Sequence, residues 1–85
     1  MDERQLETLR SEIDRIDDSI VALLEKRLEV ARQIAMVDWG KPVFDQARHK
    51  AIIKRLHEQF PEMDSKGLTA IFGEILEMCR AVYRE

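Results

Sequence analysis

Residues 23–34 read LLEKRLEVARQI, and the placement of Arg27 within them decides how the chain is understood. Counting in steps of three and four, Leu6, Leu9, Ile13, Ile16, Ile20 and Leu23 lead up to Arg27. Val30, Ile34 and Val37 lead away from it, so nine of the ten seam positions are aliphatic and the tenth is an arginine. That period belongs to an α-helix with one apolar side. A guanidinium does not shed its charge in a protein. Either the seam opens to water at Arg27, or an anion meets it there. A lone polar residue in a seam can also serve only to fix register and oligomeric state, and the stretch by itself leaves these readings open.

Outward from this stretch the period stays helical. Helix one is expected from about Asp2 to Asp38, ended by DWGKPVFD (38–45), where Gly40 and Pro42 arrive together. Asp45 can cap a second helix carrying Ile52, Ile53, Leu56 and Phe60, which stops at Pro61. Asp64 or Ser65 can cap a third, with a stripe of Leu68, Ile71, Phe72, Ile75, Cys79, Val82 and Tyr83. Three glycines, two prolines and the lack of an alternating segment argue against strands. The expected fold is all-α, one long helix and two shorter ones, in one small domain over residues 1–85. A long first helix would be a rod of roughly 50 Å, whereas a compact chain of this length has a radius of gyration of about 12 Å. Two short helices cannot cover such a rod. A second copy can, so an intertwined homodimer is expected, with a plain dimeric coiled coil as the alternative.

Composition narrows the function classes. Apolar residues make up 45% and charged residues 36%, which reads as folded and soluble. A net charge of −3, with acids interspersed among the lysines and arginines, argues against a nucleic-acid surface. No apolar run reaches membrane-spanning length, and MDERQLETLR (1–10) does not resemble a signal peptide. Cys79 is the single cysteine, which excludes an internal disulfide and fits a reducing compartment; a cytoplasmic location is expected.

Several polar residues continue the apolar stripes. Asp45, Arg48 and His49 precede Ile52, Ile53 and Leu56 at helical steps. Two arginines aimed inward from separate helices suit a small, multiply charged anion, because guanidinium forks match carboxylates in pairs. The plainer alternative is an exposed first turn. Arg10 lies 17 residues from Arg27, about 25 Å along one rod, so both reach one small molecule only if Arg10 comes from an antiparallel partner. Taken alone, Arg10 reads as a solvated charge. His49 and His57 are about 12 Å apart along a helix, too far to share a metal unaided. Cys79, in an apolar stripe, reads as core rather than nucleophile. The sequence has neither a glycine-rich phosphate loop nor a Ser-His-Asp arrangement.

LRSEIDRIDDSIVALLEKRLEVARQIA, GKPVFDQARHKAII and IFGEILEMCRAVY together resemble the all-helical chorismate mutases, the AroQ class. The likeness covers nearly the whole chain and is most specific in LR-x2-ID-x-ID, LL-x-x-R and PV-x-D-x-x-R. It implies an intertwined dimer of three helices per chain that converts chorismate to prephenate, on the route to phenylalanine and tyrosine. The implied chemistry needs no cofactor and no covalent attachment. A dicarboxylate is held in a folded near-attack conformer while charge growing on the ether oxygen is met by donors. By the resemblance, Arg27 and the partner's Arg10 bind one carboxylate, Arg48 helps hold the other end, and Asp45 binds the ring hydroxyl at the start of helix two.

Departures from the family pattern are concentrated in the site. Asp38 stands where a lysine usually points at the ether oxygen; eleven residues past Arg27, it falls on nearly the same helix face, where a carboxylate repels substrate. His49 replaces a glutamate beside the ring hydroxyl. Tyr83 replaces a Gln or Glu on helix three and keeps one donor, and Cys79 stands where a serine is common. The loop before helix two is short, and Lys41 can swing inward as a substitute cation, or stay an exposed loop lysine. Three functions fit: a chorismate mutase, an enzyme for a related substrate (isochorismate-pyruvate lyase or aminodeoxychorismate mutase), or a non-catalytic dimeric module that binds a metabolite or docks on a partner enzyme.

Overall fold

The computed structural model describes residues 2–37 and 46–83, with the side chains of Val37 and Tyr83 left out of the description. Three helices follow in order, α1 (Glu3–Val37), α2 (Gln46–Gln59) and α3 (Ser65–Tyr83), and the described residues contain no strand. α1 begins on a reciprocal cap. Asp2 Oδ1 accepts from the Gln5 backbone N–H at 2.9 Å while Gln5 Oε1 accepts from Asp2 N–H at 3.0 Å, so two otherwise orphaned donors are satisfied. α2 ends where Phe60 N–H reaches the Leu56 carbonyl at 2.9 Å, and Pro61 cannot continue the ladder. Asp64, rather than Ser65, caps α3: its Oδ2 accepts from Gly67 N–H at 2.7 Å. A Cβ at Gly67 would lie 2.9 Å from that same oxygen, so the glycine leaves the cap its room.

α3 is the central element. It packs on both α1 and α2, which do not pack on each other among the described residues. α1 meets α3 only through its C-terminal part, where Leu24, Arg27, Leu28, Ala31 and Ala35 are buried or half-buried. From Asp2 to Leu23 every residue is exposed, the aliphatic seam included. The molecule is accordingly long, 58 × 27 × 16 Å, with a radius of gyration of 16.6 Å. A compact chain of this length would have about 12 Å.

Two details differ from the sequence expectation. The face that α1 turns to α3 is not the seam but a second stripe, Leu24–Leu28–Ala31–Ala35, roughly a third of a turn around the helix. Val30 and Ile34, on the seam, stay exposed. The two alanines explain the choice, because small side chains let the α3 backbone approach closely. Arg27 lies between the two faces and leans to α3. On the other helices, Phe60 and Ile71 are exposed rather than part of the packed stripes, while Leu76 joins Leu68, Phe72, Ile75, Cys79 and Val82 on the packed side of α3. α3 serves two neighbours, so its apolar face is broader than one stripe. The expected cap at Asp45 and the breakers Gly40 and Pro42 lie outside the described residues. Among the described residues no helix is long and apolar enough to cross a membrane.

Candidate functional site

Arg27 is held where α1 crosses α3. Its Nη1 donates to Cys79 Sγ at 2.9 Å, joining residues 52 apart in sequence, and Cys79 is buried. The contact forms because Arg27, leaning to α3, and Cys79, on the packed side of α3, lie at the height where the helices meet.

Other arginines show what is unusual about this one. Arg10, Arg32 and Arg80 each pair with a glutamate three residues earlier, Glu7, Glu29 and Glu77, at 3.1, 3.4 and 3.0 Å. Around Arg27 the positions three and four residues away are Leu23, Leu24, Val30 and Ala31, none of which offers a carboxylate. Among the described residues its hydrogen-bond partner is the sulfur alone. A half-buried cation with most of its five donors uncommitted, in an apolar setting, is an arrangement suited to an anion from outside the chain.

The remaining expected residues divide into three groups. Cys79 is brought to Arg27, as just described. Arg10, Arg48 and His49 are elsewhere in the single chain. Arg10 is exposed and bound to Glu7 in the distal half of α1, and Arg48 is exposed on the first turn of α2, already engaged by another group. His49 is half-buried in a groove of about 530 Å³ between α2 and α3, lined also by Lys50, Ile53, Lys54, His57 and Thr69. Asp38, Lys41 and Asp45 lie outside the described residues, as does the side chain of Tyr83, so the expectations for these four have no geometry attached.

Sequence reasoning gave His57 no part beyond excluding a shared metal. In the structure it ties the end of α2 to the start of α3. Its Nε2 lies 3.2 Å from the Ser65 carbonyl and 3.4 Å from Thr69 Oγ1, and Thr69 gives its own hydroxyl proton to Ser65 O at 2.8 Å. The ring therefore fits as an Nε2–H donor. Among the described residues no three His, Cys, Asp or Glu side chains converge as metal ligands.

Comparisons with known proteins place the chain in a family. The profile of the family described as chorismate mutase type II matches residues 9–84. The chain is 37% identical over 69 residues to the intracellular chorismate mutases of Mycobacterium bovis and Mycobacterium tuberculosis, covering 79% of this chain and 64% of theirs. It is 32% identical over 79 residues to a protein of Pyrobaculum aerophilum named 3-dehydroquinate dehydratase, covering 91% of this chain and 23% of that protein. The chain thus spans about a quarter of one relative and under two thirds of the others. No solved structure gives a significant match. A family profile over nearly the full length of this three-helix chain assigns it to the chorismate mutase type II family, a family of isomerases.

Proposed function

We propose that this chain is a chorismate mutase, rearranging chorismate to prephenate at a site built on Arg27. The observation that carries the reading is the half-buried guanidinium held by a neutral sulfur, with no carboxylate paired to it among the described residues. The family provides the reaction, and the arginine provides the means. The rearrangement needs a doubly charged substrate folded into its reactive shape and an ether oxygen stabilised as its bond breaks.

One copy cannot supply the cage. Arg10 is about 25 Å from Arg27 on the same helix, and the seam between them is bare. A second copy laid antiparallel along that seam covers the exposed aliphatics and carries its own Arg10 toward Arg27. The dimer and the complete site are therefore one proposal. Arg48 and Asp45, at the start of α2, hold the other carboxylate and the ring hydroxyl. Tyr83 offers its phenol to the ether oxygen and Lys41 replaces the lysine that the family places where Asp38 stands. If Lys41→Ala left turnover intact, that last role would fall.

Asp38 favours a second reading, the same scaffold tuned to a relative of chorismate, since a carboxylate can pair with a substrate amine. Similarity to a stretch of a dehydratase amounting to 23% of its length supports no dehydration chemistry here. The deciding experiment incubates the purified chain separately with chorismate, isochorismate and aminodeoxychorismate. Prephenate supports the mutase. Salicylate with pyruvate, or aminodeoxyprephenate, would replace it by the second reading. Inertness toward all three, with thermal stabilisation by a ligand, would leave a binding module.

A further inference from the structure

A guanidinium on a flexible arm serves a reaction of this kind only if something fixes its plane before substrate arrives. Elsewhere in this chain a glutamate one turn away does so, as at Arg10, Arg32 and Arg80. A glutamate beside Arg27 would fix it too, but a carboxylate pairs with the fork in bidentate fashion and cancels the charge the site needs. An apolar neighbour would leave the charge intact and the arm unfixed.

Cys79 avoids both outcomes. The thiol sulfur is a neutral, weak acceptor. It takes one donor from Nη1 at 2.9 Å and leaves the rest of the fork available. Its own position is rigid, because Cys79 is 5% exposed and sits in the most buried part of α3. The contact also ties α1 to α3 side chain to side chain, so the guanidinium is fixed to the neighbouring helix rather than to its own.

We infer that Cys79 is a positioning residue for Arg27. Its sulfur holds the Arg27 guanidinium in the plane that receives the substrate carboxylate, and it touches no reacting atom itself. This rests on the mutase reading for its catalytic consequence, though the positioning contact can be read without any substrate.

Three substitutions separate acceptor from filler. Cys79→Ser keeps an acceptor, Cys79→Ala removes it at similar size, and Cys79→Val fills the space with no acceptor. The first readout is the Arg27 side-chain nitrogen signal by NMR in the ligand-free protein, with thermal midpoints and circular dichroism confirming that each variant folds. A guanidinium fixed by sulfur gives a sharp, slowly exchanging signal that persists in Cys79→Ser and broadens or vanishes in Cys79→Ala and Cys79→Val. The second readout is steady-state kinetics. Small misplacement of a positioning group lowers turnover of a held conformer substantially, so kcat/KM falls on the order of tenfold to a hundredfold in Cys79→Ala and Cys79→Val. Cys79→Ser restores most of it, whatever the order of thermal midpoints.

An unchanged Arg27 signal in folded Cys79→Val would overturn the inference. So would Cys79→Ala and Cys79→Val turning over like the unsubstituted enzyme, or Cys79→Ser falling as far as Cys79→Ala. If the unsubstituted chain were inert toward all three substrates, the mutase reading would fail instead, and the nitrogen signal would still decide whether the sulfur fixes the guanidinium.

Discussion

The two halves of α1 carry the same kind of apolar repeat and meet opposite fates. In the C-terminal half, Leu24, Leu28, Ala31 and Ala35 lie against α3, and Ala31 is only 7% exposed. In the N-terminal half, Ile13, Ile16 and Ile20 are each more than half exposed, and none of the described residues covers them. A helix does not keep a regular aliphatic seam over about five turns for water. Contiguous apolar surface of this extent fits the proposed dimer face. Among the described residues only half of α1 is packed, and the arginines divide in the same way. Arg27 stands in the covered half, while Arg10 stands in the bare one.

The largest effect should come from charging the bare half. Ile16→Asp places an unpaired carboxylate in the proposed interface, where burial of an unpaired charge costs several kcal/mol. Sedimentation should show a dimer become a monomer, with turnover lost. A mass and thermal midpoint unchanged from the parent would mean the seam is simply solvated. In the covered half, Leu68→Ala removes a side chain that is 7% exposed. It should cost about 2–5 kcal/mol in denaturant unfolding, as deletions at packed sites do. A loss no larger than that of an exposed substitution would mean that α3 is not the central element. The smallest effect belongs to a cap. Asp64→Ala removes the acceptor that Gly67 N–H reaches at 2.7 Å and should lower stability by about 1 kcal/mol without altering kcat.

What the sequence disclosed follows the strength of its signals. The start of α1 falls within a residue of expectation, because Asp2 is a strong capping residue, whereas the breakers expected to end it lie outside the described residues. The three-helix order was readable from the helical period and the breakers between its segments. The face that α1 turns inward was not. Leu24 and Leu28 flank the obvious seam, and Ala31 and Ala35 add little hydrophobic signal although their small size is why α3 comes close. Ile71 looked like core because it keeps the helical spacing of the stripe, yet it lies at the edge of the face that α3 packs and stays 57% exposed. Within the site, Arg27 stood out as a charge in an aliphatic run. Its link to Cys79 did not, since nothing local relates residues 52 apart; only the crossing of two helices does. Asp38, Lys41, Asp45 and Tyr83 remain proposals founded on the family pattern.

The central claim is that each site takes Arg27 from one copy and Arg10 from the other. Mixing two inactive variants tests it most directly. Arg10→Ala and Arg27→Ala chains, unfolded together and refolded at equal concentration, form mixed dimers with one intact site and one doubly damaged site. The account predicts that each variant alone is nearly inactive and that the mixture regains about a quarter of the parent turnover, as random pairing in a two-fold dimer requires. A mixture as inactive as its components, although sedimentation shows mixed dimers, would contradict it.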